Sequence, residues 1–321
     1  MKTNGFWKYL ERESKPRKGL MPAEWVMMAY TAVTLLLLLF LSTKTINHHA
    51  MLWGRVQAVT MVIALWIVYR IYPCRVTILF RVLLQLALLS WWYPDTYEFN
   101  RLFPNLDHIF ASWEQQMFGL QPALLFSQTI SSNVFSELMH LGYASYYIMI
   151  VGVPMYYFVY QYKDFERMVF VFLTAFFAYY VIYILVPVTG PQYYYLAAGI
   201  DNIEKGIFPN VHDYFLTHQE ALPSPGYTDG MFYQFVLSAH NAGERPTAAF
   251  PSSHVGIATI FIIYAWLTRS RRLFLSLLPL YVLLCFSTVY IRAHYVIDVL
   301  GGWLTAVLFF VVLHNLYGVK K

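Results

Sequence analysis

Charge is what this chain has least of. Asp, Glu, Lys and Arg make up 12% of its 321 residues, against about 25% in ordinary soluble domains. So few ionic groups cannot clothe a water-facing surface, which excludes a free-standing soluble enzyme or a nucleic-acid-binding module. Cysteine is nearly absent too, with two residues. Cys74 falls in a basic turn and Cys285 in an apolar run, so neither a disulfide framework nor a cysteine-based metal site is expected. No internal repeat and no low-complexity tract is evident.

What is present is hydrophobic and aromatic, at 59% and 19% of residues. Eight apolar stretches run at about 22–42, 52–69, 76–93, 138–161, 168–186, 253–268, 273–290 and 295–315, most of them long enough for a helix to span a bilayer. The expected fold is therefore all-α, a polytopic membrane bundle of about eight transmembrane helices. Three parts are expected: a basic N-terminal segment at 1–21, N-terminal spans over 22–167 with an outer loop at 94–137, and a catalytic membrane region at 168–321. The first apolar run is too long for a secretory signal and no small-x-small pattern follows Ser42, so it reads as a retained anchor. The head around Trp7, Arg12, Lys15 and Arg17 reads as a positive flank or as a segment lying on an anionic leaflet.

The few charges carry the topology. With a cytoplasmic N-terminus, the segments Lys2–Lys18, Arg70–Arg81, Lys163–Arg167, Arg269–Arg272 and Lys320–Lys321 all fall inside, and they hold sixteen of the 22 Lys and Arg. The long proline-containing segments at 94–137 and 187–252 then lie outside. The first is expected to carry short interfacial helices and the second no lasting helix.

Two polar islands on that outer side hold the chemistry: Phe250-Pro251-Ser252-Ser253-His254 and His294-Tyr295-Val296-Ile297-Asp298. They stand 40 residues apart across two apolar runs, which returns both histidines to one face. Each opens a span whose unpaired amides and positive dipole end face outward, a setting that suits phosphate. Ser252 and Ser253 can donate to a phosphoryl oxygen or simply cap the helix. Asp298, four residues after His294, is placed one turn along the same face, where it can accept the imidazole N–H. An oriented imidazole suits attack on phosphorus, and a second one suits protonation of the leaving alkoxide. Arg245 and Arg292 are the nearby cations, as phosphate ligands or as interfacial anchors. Glu137 and His140 read as capping or interfacial groups. His48-His49, Asp107-His108 and His212-Asp213 read as exposed loop residues.

The pattern Phe250 to His254 followed by His294-x-x-x-Asp298 resembles the second and third signatures of the type 2 phosphatidic acid phosphatase superfamily of membrane lipid phosphatases and phosphotransferases. Within it, Ala249 to His254 and Ser287-Thr288 are most similar to the inositol phosphorylceramide synthase branch. The resemblance implies His294 as nucleophile, Asp298 as its orienter and His254 as leaving-group acid. Two positions depart from the general pattern: Ser238 stands where a lysine precedes Arg245-Pro246, and Thr288 where an arginine precedes the nucleophile. In the inositol-lipid branch the upstream element looks more like Pro187 to Pro191, which makes Gln192 and Tyr193 candidate contacts.

The expected function is phosphotransfer from a membrane phospholipid to a lipid hydroxyl such as ceramide or diacylglycerol, without metal or other cofactor. Hydrolysis of phosphatidic acid-type or isoprenoid phosphates, with water as acceptor, is the alternative. A membrane transporter is a more remote one, since it calls for inverted repeats or broken spans that the chain lacks.

Overall fold

The computed structural model describes residues 5–41, 44, 47–241 and 243–319, and no strand occurs among them. Lys2, Ser42, Lys320 and Lys321 lie outside the described residues. Thirteen α-helices follow in order: α1 (Pro22–Leu41), α2 (His48–Ile71), α3 (Arg75–Asn100), α4 (Asp107–Phe118), α5 (Pro122–Thr129), α6 (Asn133–Tyr160), α7 (Tyr162–Leu185), α8 (Pro191–Ala198), α9 (Ile200–Glu204), α10 (Met231–Asn241), α11 (Ser253–Leu267), α12 (Arg271–Tyr290) and α13 (Val296–Val319).

Seven of these, α1, α2, α3, α6, α7, α12 and α13, are long and apolar enough to cross a membrane. The eighth expected span, α11, has only 15 residues, or about 22 Å at 1.5 Å per residue. Its shortness has a physical reason. Ser252 and Ser253 at its start are 0% and 9% exposed, so the helix begins beneath the outer loops rather than at their surface.

The bundle closes around α7, whose Phe165, Met168, Phe172, Tyr179 and Tyr183 are buried and which packs against α1, α3, α6, α11 and α13. Helices α11 and α13 approach closely because their contact carries glycine. At Gly302 an added Cβ would come within 2.7 Å of the Ser252 carbonyl oxygen, and at Gly301 within 2.6 Å of the Phe250 ring, so these positions allow the starts of the two helices to come this close.

Most helix ends lie a few residues from the sequence reading, the short helices α8 and α9 form in the segment expected to hold none that lasts, and two further differences bear on the packing. Pro94 does not end the third span, because α3 continues through it to Asn100. The extra turns are held by burial of Tyr97 and Phe99 and by Asp95, which pairs with Arg55 through two hydrogen bonds of 2.8 and 3.1 Å. In the second outer segment, the eleven-residue α10 forms because Glu137 accepts from the Phe232 and Tyr233 amides at 3.1 Å. His140 is fully buried instead of interfacial, bonded to the Ser136 carbonyl at 2.8 Å and to Ser224 Oγ at 3.0 Å.

The opposite end is crossed by the N-terminal segment. The Glu13 amide donates to the Pro73 carbonyl at 2.8 Å, Tyr69 donates to the Glu13 carboxylate at 2.6 Å, and Arg17 pairs with Glu166. This segment is thus a strap on the bundle and not merely a charged flank. The basic segments around Arg70, Lys163 and Arg271 share that end, while the starts of α11 and α13 lie at the other.

Placing a methyl at the helix contact is expected to cost about 1–3 kcal/mol by overpacking. Gly302→Ala should therefore melt earlier in detergent than the parent. Gly152→Ala, where an added Cβ meets nothing within 4 Å, should not. Equal melting of both variants would contradict the packing described.

Candidate active site

The starts of α11 and α13 are built from their own unpaired amides. Ser252 Oγ caps α11 by accepting from the Val255 amide at 3.3 Å, and Tyr183 from α7 pins the turn before it, accepting from the Ser253 amide at 3.0 Å and donating to the Pro251 carbonyl at 3.1 Å. Asp298 does the same for α13, its Oδ2 accepting from the Tyr295 amide at 2.8 Å. Two bonds then tie the segments together: the Ser252 amide to the Asp298 carbonyl at 2.9 Å, and His294 Nδ1 to the Ala249 carbonyl at 2.9 Å.

The second bond fixes the His294 tautomer. A carbonyl only accepts, so Nδ1 carries the hydrogen and Nε2 keeps the lone pair of the neutral ring. Burial holds the His294 pKa down to about 4, against the opposing pull of the Ala249 carbonyl and the Glu244 carboxylate. Its Nε2 lies 3.5 Å from His254 Nδ1, with ring centroids 5.7 Å apart. The His254 ring sits between Tyr143 and Tyr146 at 4.8 and 4.5 Å.

The sequence reading of Asp298 needs correction here. The His294 N–H goes to Ala249, and the nearest Asp298 oxygen is 3.5 Å from Nδ1. His294 precedes the helix, which begins at Val296, so the one-turn spacing inside a helix does not apply. The carboxylate is drawn to the free Tyr295 amide instead, and its Oδ1 has no partner.

The candidate phosphate contacts scatter around this centre. Ser252 and Ser253 lie in the α11 turn itself. The Gln192 side chain donates to Glu244 at 3.0 Å, and its amide donates to the Arg292 carbonyl at 2.8 Å. Tyr193 is buried and electrostatically coupled to Glu244 and Arg245. Arg245 donates to the Glu244 carbonyl at 3.1 Å. Arg292 is coupled to Tyr195 and Tyr290, its Nε has no partner, and burial lowers its pKa. Among the described residues, no carboxylate forms an ion pair with either arginine.

Three acidic groups escaped the sequence reading. Asp107 is not an exposed loop residue but fully buried at the start of α4. It accepts from Asn105 at 2.6 Å, from the Thr189 amide and hydroxyl at 2.7 and 2.9 Å, from the Gly190 amide at 2.9 Å and from the Tyr295 hydroxyl at 3.1 Å. That set joins the 187–191 turn to the residue beside His294. Gly190 is required in the turn: its φ is +93° and an added Cβ would lie 2.6 Å from the Ala293 carbonyl. Glu114, two turns further along α4, accepts from the Val296 amide at 2.5 Å. Burial pushes its pKa up to about 8, opposed by the Val296 amide and reinforced by Asp298.

Glu244 is the third. It lies 3.0 Å from His240 Nε2, one turn back in sequence, and is coupled to His254 as well. Burial disfavours its charge, yet His240, His254 and Gln192 outweigh that and lower its pKa, while His240 is raised in return despite its own burial. The only sequence signals for these acids were their spacings, 107 to 114 and 240 to 244, which fit one helical face. Among the described residues, no group of three or more His, Cys, Asp or Glu is arranged to hold a metal ion.

Glu114 has a pH signature. Its folded pKa stands above the free carboxylate value of about 4.3, so its favourable contribution is complete below that value and is lost as pH rises through about 8. Glu114→Gln, which cannot ionise, should melt above the parent at pH 9 and lose that advantage at pH 5. A difference independent of pH would contradict the burial of this acid.

No curated protein and no solved structure matches the chain. A family model does: that of the PAP2 superfamily, over residues 108–312. The match takes in α4 with Glu114, the 187–191 turn, Glu244 and both histidine-bearing helix starts, and it covers well over half of the sequence. The chain belongs to the PAP2 superfamily.

Proposed function

We propose that the protein is a lipid phosphotransferase that moves a phosphoryl headgroup such as inositol phosphate from a membrane phospholipid to a lipid hydroxyl, ceramide or diacylglycerol, through a phosphohistidine at His294. Members of the superfamily are generally phosphatases or phosphotransferases acting on phosphorylated lipids. The observation that carries the finer reading is the contact of two imidazoles at two buried helix starts, one with its Nδ1–H committed to the Ala249 carbonyl and its Nε2 free.

In the first step the Nε2 lone pair attacks phosphorus, the bond from phosphorus to the glycerol oxygen breaks, and that oxygen leaves with the electron pair and takes a proton from the His254 imidazolium. Burial disfavours that imidazolium, and Glu244 and the negative charge of the bound phosphodiester favour it. In the second, His254 removes the proton of the acceptor hydroxyl as its oxygen attacks phosphorus, and the phosphorus–nitrogen pair returns to Nε2. A near-attack distance of about 3 Å on one side and a hydrogen bond of about 2.8 Å on the other need more room than the 3.5 Å between the two nitrogens. Substrate therefore enters by turning the His254 ring away from His294. The Ser252 and Ser253 amides are already bonded to Asp298 and Tyr183, which leaves Arg292 and Arg245 as the donors for the equatorial oxygens. No metal has a role in this scheme.

Burial supports transfer over hydrolysis. His294 and Asp298 are 3% and 0% exposed, beneath the segments that contain α4, α8 and α10, so bulk water is held away from the phosphohistidine while a lipid hydroxyl can arrive from the bilayer. The positive-inside rule supports an extracytoplasmic site, periplasmic or lumenal, because the basic segments collect at the other end of the bundle.

Purified protein in detergent with EDTA, given labelled phosphatidylinositol and phosphatidic acid with and without ceramide, is expected to yield a ceramide-linked headgroup product. His294→Ala should lower the rate by at least about 10³, the scale of losing a nucleophile. Release of free headgroup only would favour the phosphatase reading, and activity retained in His294→Ala would remove His294 from the mechanism.

A further inference from the structure

The electrostatic surroundings of the two histidines are unlike those of a site built for a bare phosphate. The charged groups coupled to His254, besides His294, are Glu244 and His240, and Glu244 is coupled to His294 too. Gln192, which donates to Glu244 at 3.0 Å, also donates its backbone amide to the Arg292 carbonyl two residues before His294. An ionised carboxylate beside the reacting phosphorus repels a phosphomonoester dianion more strongly than a singly charged diester. It also only accepts hydrogen bonds. Such a group is retained where the substrate brings hydroxyl donors.

Glu244 is built in, not incidental. Its side chain is 19% exposed, held at 3.0 Å by Gln192 from the start of α8 and at 3.0 Å by His240 from the end of α10. The Tyr143 ring bridges its partner His240 and the reacting pair, with centroids 5.8 Å from His240 and 4.8 Å from His254, and a tyrosine ring offers a flat apolar wall with a polar tip. A carboxylate with an adjoining amide, joined through His240 and one tyrosine ring to His254, matches a ring that carries several hydroxyls.

We infer that Glu244, positioned by His240 and Gln192, binds the hydroxyls of a polyhydroxylated headgroup and so selects phosphodiesters of cyclic polyols over other phospholipids. The inference rests on the proposed transferase reading and deepens it. In that reaction the headgroup stays on phosphorus through both steps, while one lipid leaves and another enters. A fixed grip on its hydroxyls therefore serves both half-reactions.

The test compares two diesters that differ only in headgroup hydroxyls, phosphatidylinositol and phosphatidylmethanol, in mixed micelles with parent protein, Glu244→Gln and Glu244→Asp. The ratio of kcat/KM for phosphatidylinositol over phosphatidylmethanol should fall roughly tenfold or more in Glu244→Gln, the scale of a lost charge-assisted hydrogen bond, chiefly through KM. Glu244→Asp should recover part of it. A uniform fall for both donors, or a fall confined to kcat, would overturn the inference and leave Glu244 a structural or proton-transfer group. A binding measurement guards against poor folding of the variants and against inactivity: inositol 1-phosphate should raise the melting temperature of the parent protein more than methyl phosphate does. If the parent turns over no lipid, the transferase reading fails, and this binding difference still decides whether the headgroup subsite exists. Equal shifts with both phosphates would overturn it.

Discussion

The hydrogen bond between the His294 imidazole and the Ala249 carbonyl is the constraint on which the site depends. It joins residues that the chain separates by two membrane crossings, and it decides which ring nitrogen is free. Its companion, from the Ser252 amide to the Asp298 carbonyl, sets the two helix starts in register. Neither bond can form unless α11 and α13 come together, which the glycine contact at Gly302 permits, and unless Tyr183 of the central helix holds the turn that supplies the carbonyl. The bundle is in this sense a frame that brings two loops within hydrogen-bonding distance beneath the segments that cover them.

With charge so scarce, the ionic groups that are buried carry defined tasks. Arg81 with Glu24 and Arg55 with Asp95 join α1 to α3 and α2 to α3, and removing one partner of such a pair strands the other in a medium that cannot solvate it. Asp107 and Glu114 turn α4 into a clamp over the active helix start, one taking the 187–191 turn and the Tyr295 hydroxyl, the other the Val296 amide. Asp298 is fully buried and keeps one oxygen without a partner.

Much of the architecture could be read from run length and charge position, because a bilayer imposes both. Seven of the eight expected spans, the absence of strands among the described residues and the pairing of the two polar islands followed from that. The errors share one physical cause, which is contact between residues remote in sequence. Pro94 looked like a helix end, and burial of its neighbours with the Arg55–Asp95 pair kept the helix going. Asp107 looked exposed because its partners lie 82 and 188 residues away. The Asp298 spacing suggested a bond to His294 that Ala249, 45 residues distant, takes instead. The spacing of Glu244 from His240 was a local sign of that pair, but nothing local tied Glu244 to Gln192, 52 residues away.

The central claim is a covalent bond between His294 Nε2 and phosphorus, and it can be observed directly. Rapid acid-free quenching of the protein with labelled phospholipid in the absence of acceptor, followed by proteolysis and mass analysis, should find an acid-labile, base-stable headgroup-phosphoryl adduct on the peptide that contains His294, discharged when ceramide is added. Turnover without such an adduct, or an adduct on His254 or another residue, would contradict the account.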